Sequence, residues 1–190
     1  MNTPAHAVVN LLILGRKERP NTTGPIIAGA ILPDLPMIFF YLYEKVWRGI
    51  PERVIWSQLY HEAGWLALFD LFHSLPLTVL GFTLAYRFGA LRLAALFASM
   101  ALHALGDLLL HHADAHRHLF PFSDWRFHSP VSYWDHRYFG HIVSPLETVA
   151  VIVGGVVLTR RFTSVSARVL VASLIAVYAI YRAYILWMWT

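Results

Sequence analysis

The fold is decided by residues 90–112, which read ALRLAALFASMALHALGDLLLHH. This stretch is apolar enough to cross a bilayer, because a transmembrane helix needs about 20 mostly apolar residues. Four more stretches have this character, and they lie at residues 25–43, 65–88, 144–158 and 166–189. A soluble chain of 190 residues can bury one core, but it cannot bury five such segments. The sequence therefore predicts an all-α fold, a polytopic membrane bundle of about five transmembrane helices.

The composition agrees with a membrane protein and limits its chemistry. Hydrophobic residues make up 57% of the chain and charged residues 14%, where globular domains average about 45–50% and about 25%. No repeat or linker divides residues 1–190, so we expect one domain. The net charge of +4 is spread over loops, which favours membrane lipid over nucleic acid as a partner. Because the chain has no cysteine, a metal must be held by His, Asp, Glu, backbone or water.

Two segments before residue 90 depart from a regular span. Thr3, followed by proline, predicts the start of a short helix that stops at Gly15, with the Thr3 hydroxyl as its cap. Such a half-helix is roughly 16 Å long, about half a bilayer. In the second span, Pro33 and Pro36 flank Asp34 and predict a broken hydrogen-bond ladder. Asp34 there is either the cap of the resumed helix or a ligand in a buried cavity.

The long polar stretch and the basic residues indicate the orientation in the membrane. Residues 113–143 are predicted to form an aromatic-rich loop at the membrane–water interface. Lys and Arg are densest in the short loops on the other side, which the positive-inside rule places in the cytoplasm. Arg16, Lys17 and Arg19 follow the first apolar stretch, where a cleaved leader has its positive charge first. We therefore expect a multi-pass protein of the bacterial inner membrane without a cleaved signal peptide.

A polar stripe interrupts the decisive stretch. On a helix, His103, Asp107 and His111 are four residues apart and share one face. Such side chains are costly in an apolar setting unless something pairs with them. A divalent metal suits two imidazoles and a carboxylate together. The alternative is a hydrogen-bonded His–Asp seam between helices.

Other ionisable residues reach the same depth from different helices when helical rise is applied. The predicted metal ligands are His6, Asp34, His73, His103, Asp107 and His111. Further candidate ligands near the interface are His112, Asp114 and His116. Asp70 is predicted either to pair with His73 or to orient it as a ligand. Glu147 is interpreted as part of a capping box, Ser144-Pro145-Leu146-Glu147, rather than as a ligand.

With these residues in place, the chain resembles the bacterial family of predicted inner-membrane metal-dependent hydrolases of the YdjM type. The resemblance covers most of residues 1–140. It rests on the elements Thr3-Pro4-Ala5-His6, AGAILPD at 28–34, Phe72-His73-Ser74, and His103-x3-Asp107 with the histidines that follow. Membership implies a membrane hydrolase and leaves its substrate open.

A more distant similarity is to zinc-dependent phospholipase C, an all-helical enzyme with a three-metal cluster. That family also uses an early His, a bridging Asp, a middle His and a His-x3-Asp pair. The order is matched here by His6, Asp34, His73, His103 and Asp107. The family's ligating mature N-terminal residue and its late His-x3-Glu pair have no clear match in this chain. We therefore expect one or two divalent ions, with zinc as the metal.

These observations predict a membrane-embedded metal-dependent hydrolase that cleaves a phosphoester of a lipid or other amphiphile through a metal-activated water. Asp34 and Asp107 are the predicted catalytic carboxylates. Three loop arginines are candidates for binding the substrate phosphate, namely Arg117, Arg126 and Arg137. The alternative is a metal or proton transporter or a membrane metal sensor, because intramembrane His and Asp also form ion pathways. A third hypothesis is an assembly factor in which the polar His–Asp seam only holds helices together.

Overall fold

A computed structural model describes the backbone of residues 1–188 and the side chains of residues 1–183. Over that range the chain forms nine α-helices and no β-strand. They are α1 (Thr3–Leu14), α2 (Thr23–Ile31), α3 (Leu35–Leu42), α4 (Glu52–Ser57), α5 (Ala63–Phe72), α6 (Leu75–Arg87), α7 (Leu91–Leu110), α8 (Gly140–Arg161) and α9 (Val165–Met188). The predicted end of the last span, at Trp189, lies outside the described residues.

Five helical spans within the described residues are long and apolar enough to cross a membrane. They are Pro20–Trp47, Ala63–Arg87, Leu91–Leu110, Gly140–Arg161 and Val165–Ala183. The predicted fold class is therefore confirmed, with α1 as the additional short N-terminal helix of 12 residues. Consecutive spans run in opposite directions, so the long connections 48–62 and 111–139 lie at one end of the bundle. We call this the long-loop end.

Two spans are broken near their middle. The predicted break after α2 is a 3₁₀ turn, Leu32–Asp34, from which α3 continues. The second break was not predicted: residues 65–88 are divided at His73, between α5 and α6. Ser74 caps α6, since its Oγ accepts a hydrogen bond from the backbone nitrogen of Leu77 at 3.3 Å. A cap followed by a proline in the first turn starts a new helix there.

The helix α8 corrects the prediction for the fourth span. It begins at Gly140 rather than at Ser144, and Pro145 lies inside it. The capping-box interpretation of Glu147 is therefore wrong. Glu147 is instead a buried side chain that accepts hydrogen bonds from the backbone nitrogen of Asn2 at 3.2 Å and from the Tyr178 hydroxyl at 3.0 Å. It ties the start of α1 to the hairpin of α8 and α9.

The helix α7 lies at the centre of the bundle, where it packs against α2 and α6. Gly29 permits the approach of α2, because a Cβ there would lie 2.2 Å from the carbonyl oxygen of Leu96. On the other side, α1 packs against α2, α8 and α9. An apolar core joins these helices through buried residues that include Val8, Leu11, Ile26, Val151 and Tyr178.

The segment 111–139 folds over the long-loop end of the bundle. The backbone nitrogen of Leu75 donates to the carbonyl of His118 at 2.9 Å. The Ser74 hydroxyl donates to the carbonyl of Phe120 at 2.5 Å. Near the end of α7, the backbone nitrogen of Tyr133 donates to the carbonyl of Leu110 at 3.0 Å. The loop is thus attached to the break between α5 and α6 and to the last turn of α7.

Candidate metal centre

Four buried side chains converge from three helical segments. They are Asp34 from the turn after α2, His73 from the break after α5, and His103 and Asp107 from α7. One ligand atom from each lies within 4.8 Å of those of the other three. His103 lies seven residues before the end of α7, roughly 10 Å below the long-loop end at helical rise. This buried group could hold a metal ion.

His73 and His103 present their Nε2 atoms to the cluster. The Nδ1 of His73 lies 2.9 Å from the carbonyl oxygen of Phe69, and the Nδ1 of His103 lies 2.7 Å from that of Ala30. Because a carbonyl oxygen only accepts, each Nδ1 carries a proton and donates it. Both Nε2 atoms are buried and make no hydrogen bond. Histidines that bind metals are commonly oriented in this way by a backbone carbonyl.

Asp107 is the hub of the cluster. Its Oδ2 lies 2.9 Å from Nε2 of His103 and 3.4 Å from Nε2 of His73. Its Oδ1 lies 2.9 Å from Nε2 of His6 and 3.2 Å from Nε2 of His111. A ring nitrogen lone pair that faces a carboxylate is repelled unless a proton or a metal ion lies between them. The donor set therefore suits a shared cation.

Asp34 faces the same centre from the opposite side. Its Oδ1 lies 3.4 Å from Nε2 of His103 and 3.8 Å from Nε2 of His73. Although Asp34 immediately precedes α3, its side chain makes no capping hydrogen bond. The other oxygen accepts a hydrogen bond from the Thr3 hydroxyl. The predicted role of Thr3 as a helix cap is wrong, because Asn2 holds that position and Thr3 orients Asp34 instead.

His111 reaches the cluster by a different route from the predicted one. The helix α7 ends at Leu110 and His111 has extended backbone, so the helical stripe holds only for His103 and Asp107. The Nδ1 of His111 lies 2.9 Å from Asp114. Burial disfavours a charge on this ring, but the negative charge of Asp107 together with hydrogen bonds to Asp107 and Asp114 raises the pKa of His111.

All six predicted ligands are thus brought together around Asp107, and their role as ligands stays a prediction. The ring of His6 stacks on that of His103, with centroids 3.6 Å apart. Its Nδ1 is buried without a hydrogen-bond partner. The backbone nitrogen of Met1 lies 2.8 Å from Oδ1 of Asp107.

The further candidates separate into two groups. His112 turns away, since its Nδ1 lies 2.7 Å from the carbonyl of Ser129 and its ring stacks on Tyr138. His116 lies beside the cluster, with its ring centroid 3.9 Å from that of His73. Burial lowers the pKa of His116 to about 3 and the pKa of His118 to about 4. Both rings are therefore neutral and available as ligands at pH 7.

Asp70 has partners other than the one predicted. It does not pair with His73; it accepts hydrogen bonds from the backbone nitrogen of Arg117 at 2.9 Å and from Nε of Arg117 at 2.5 Å. Arg126 lies 3.6 Å from the same carboxylate. Arg137 pairs with Asp135 and is 77% exposed. The role of these three arginines in binding phosphate stays a prediction.

A cavity of about 1040 Å³ adjoins the cluster. Its polar end is formed by Asp34, His111, Asp114 and His116, and most of its remaining lining is apolar or aromatic. The volume slightly exceeds the usual range of ligand pockets, about 300–1,000 Å³. Among the four cluster residues only Asp34 lines the cavity, so a ligand in it would contact the cluster at Asp34.

No protein family, no curated protein and no solved structure matches this chain. The resemblance to membrane hydrolases therefore stays a prediction, and the function must be argued from the site.

Sequence reasoning missed His118, whose Nε2 is buried without a partner. It also missed the burial of Glu147. The available signal for His118 was its spacing of two residues from the candidate ligand His116. Its position in the predicted interfacial loop favoured a solvated side chain instead. For Glu147, the signal was an acidic residue seven positions inside an apolar span.

Proposed function

We propose that this protein is a membrane-embedded metal-dependent hydrolase of the bacterial inner membrane that cleaves a phosphoester of a lipid or other amphiphile. The observation that carries the proposal is the buried group Asp34, His73, His103 and Asp107, which a large, mostly apolar cavity reaches at Asp34. Two orphaned Nε2 atoms, two carboxylates and a lipid-sized cavity are the components such an enzyme needs.

The donor set fits a divalent ion and favours zinc among the common metals. Imidazole nitrogens with carboxylate oxygens, and no thiolate, are typical of catalytic zinc sites. When bound, such an ion lowers the pKa of a coordinated water and polarises the scissile group. His73 and His103 would bind it through Nε2, with Asp34 and Asp107 on either side. One or two ions suit this number of donors.

The surrounding residues would position the carboxylate of Asp34 and the substrate phosphate. Thr3 holds Asp34 in place through its hydroxyl, so the carboxylate has one oxygen left for the centre. Asp70 fixes the backbone of the loop at Arg117, next to His116. Arg117 also pairs with Asp124, which is 90% exposed. Because exposed ion pairs contribute little stability, a substrate phosphate could displace Asp124 from this arginine.

The alternative is a transporter or metal sensor built on the same cluster. A transport path needs ionisable groups through the full thickness of the membrane. In the described spans, the buried acidic and histidine side chains (Asp34, Glu44, Asp70, His73, His103, Asp107 and Glu147) all lie in the half nearer the long-loop end. This distribution favours an enzyme or sensor over a transporter.

Metal analysis of the purified protein tests the proposal first. We expect stoichiometric divalent metal in protein prepared without chelator, and its loss in His103→Ala. The matched control is His141→Ala, because His141 is exposed and lies outside the cluster. Metal-free wild-type protein would contradict both the hydrolase and the metal sensor and leave a polar seam or a proton path.

Phosphate release then separates enzyme from sensor. The metal-loaded protein is incubated with phosphatidic acid in mixed micelles and, separately, with a short-chain soluble phosphomonoester. We expect release that depends on the metal and is abolished in Asp34→Ala. Stoichiometric metal without release from any phosphoester lipid in a panel would favour the sensor.

A further inference from the structure

The cavity beside the cluster lies between two transmembrane walls. One wall is formed by α2 and α3, through residues that include Ile27, Ile31 and Ile38. The other is formed by α9, through residues that include Leu170, Leu174, Val177 and Tyr181. The helix α9 packs against α1 and α8. Its cavity-lining residues Leu170, Val177 and Tyr181 are exposed, so they remain available to a ligand.

The two walls have the same length. From Ile27 to Ile38, and from Leu170 to Tyr181, each wall covers eleven residue steps, or roughly 16 Å at helical rise. This is about half of the hydrocarbon thickness of a bilayer, about 30 Å. The walls are therefore about as long as one leaflet is thick, which is enough for one acyl chain.

The polar and apolar parts of the cavity are arranged like those of a lipid. His111, Asp114 and His116 lie at the end near the long loops, where a headgroup would lie, and Asp34 lines the cavity between Ile31 and Ile38. The apolar walls extend from there toward the middle of the membrane. At the rim, Ile38 is 41% exposed and Val177 is 54% exposed, on surfaces of spanning helices that face lipid.

We propose that a lipid substrate enters sideways from the bilayer between α3 and α9, with its hydrocarbon chain in this cavity and its phosphate at the His/Asp cluster. The reaction itself rests on the proposed function. The binding site of the lipid and its route of entry go beyond it. A second copy of this chain is the competing occupant. A helix from a second copy would leave the acidic and imidazole groups at the polar end without a charged partner.

Photolabelling tests the site without relying on catalysis. The probe is phosphatidylglycerol with a diazirine in its acyl chain, in vesicles of phosphatidylcholine. We expect saturable labelling at Ile31 and Leu174, competed by unlabelled phosphatidylglycerol. Val169, which is 57% exposed on α9 and does not line the cavity, should show only non-saturable labelling from bulk lipid. Equal, non-saturable labelling at all three positions overturns the proposal.

A bulky substitution tests the route. Val177→Trp should lower the saturable labelling about tenfold or more, since overpacking a filled space is unfavourable. Val169→Trp is the matched control and should leave the labelling unchanged. Ile38→Trp, on the opposite wall, makes the same test if Val177→Trp does not fold. Unchanged labelling in a folded variant of either wall contradicts the proposed route.

The outcomes separate this inference from the proposed function. Saturable cavity labelling, with neither phosphate nor a phosphorylated headgroup released from any phosphoester lipid in the panel, keeps the binding site and ends the hydrolase. Release from the soluble phosphomonoester without cavity labelling keeps the hydrolase and ends this inference. The chain has no cysteine, so Val177→Cys can be oxidised in vesicles as a single thiol. A dimer that forms with Val177→Cys and not with Val169→Cys assigns the cavity to a second copy and overturns the proposal.

Discussion

The region of the first seven helices and the hairpin of α8 and α9 both contain membrane-spanning helices, but prolines affect the continuity of these helices differently. Pro33 lies in the 3₁₀ turn after α2, and Pro76 lies in the first turn of α6, so prolines mark both broken spans. Pro145 lies within α8 and does not end it. The cluster residues occur at the breaks and on α7, and none of the four lies on the hairpin.

The difference shows what a broken span makes possible. Irregular backbone at membrane depth is tolerated where it is buried in protein or lines a cavity. At these breaks, Asp34 and His73 leave the regular helix and face the centre. The carbonyls of Ala30 and Phe69, close to the breaks, accept hydrogen bonds from the cluster histidines. The hairpin instead supplies a continuous apolar wall and the anchor Glu147.

Removal of the Asp107 carboxylate should give the largest difference between the two regions. Asp107→Ala deletes the carboxylate that lies within 3.4 Å of His6, His73, His103 and His111. We expect metal affinity to fall by more than about 100-fold, since even the loss of an outer partner costs about 10–100-fold. Isothermal titration of metal-free protein with zinc measures this. Asp124→Ala, at an exposed position outside the cluster, should bind as wild type; near-wild-type affinity in Asp107→Ala would place the metal elsewhere.

The sequence was sufficient for the parts of this site that follow from local periodicity. His103 and Asp107 are one helical turn apart, and Pro33 and Pro36 flag the break at Asp34, so each was found without tertiary information. The depth estimate then placed His6 and His73 with them.

The remaining features depend on tertiary contacts. Ser74 caps α6 locally, but its hydroxyl also donates to the distant carbonyl of Phe120. Glu147 is buried because Asn2 and Tyr178 reach it from other segments. The end of α7 before His111 coincides with hydrogen bonds to the loop, such as that from Tyr133 to Leu110. Neither hydropathy nor spacing encodes these pairings.

The packing of α2 on α7 gives the next largest effect. Gly29→Ala places a Cβ 2.2 Å from the carbonyl oxygen of Leu96, so the helices must separate. We expect a loss of unfolding free energy of about 1–3 kcal/mol and weaker metal binding, because Asp34 follows α2. Thermal denaturation in detergent measures the first. Gly64→Ala, where the added Cβ meets nothing within 4 Å, should not be destabilised; equal losses would argue against close packing at Gly29.

A smaller effect is expected from the hairpin, and it should leave the metal in place. Glu147→Gln keeps the shape of the side chain but replaces an acceptor oxygen near Asn2 and Tyr178 with a donor. The unfolding free energy should fall by about 1–2 kcal/mol, because a buried hydrogen bond is lost. Glu18→Gln, at an exposed position, should be nearly neutral. Loss of the metal in Glu147→Gln would contradict this expectation and show that the hairpin contributes to metal binding as well as to stability.

The smallest effect tests the break between α5 and α6. Ser74→Ala removes the cap of α6 and the hydrogen bond to the carbonyl of Phe120. A lost cap costs about 1 kcal/mol, which thermal denaturation detects. Metal affinity should weaken by less than about tenfold, since the carbonyl of Phe69 still orients His73. Ser57→Ala is the control, because Ser57 is exposed at the end of α4. If Ser74→Ala abolishes metal binding as Asp107→Ala does, the cap of α6 is required for metal binding. The break between α5 and α6 then does more than position His73.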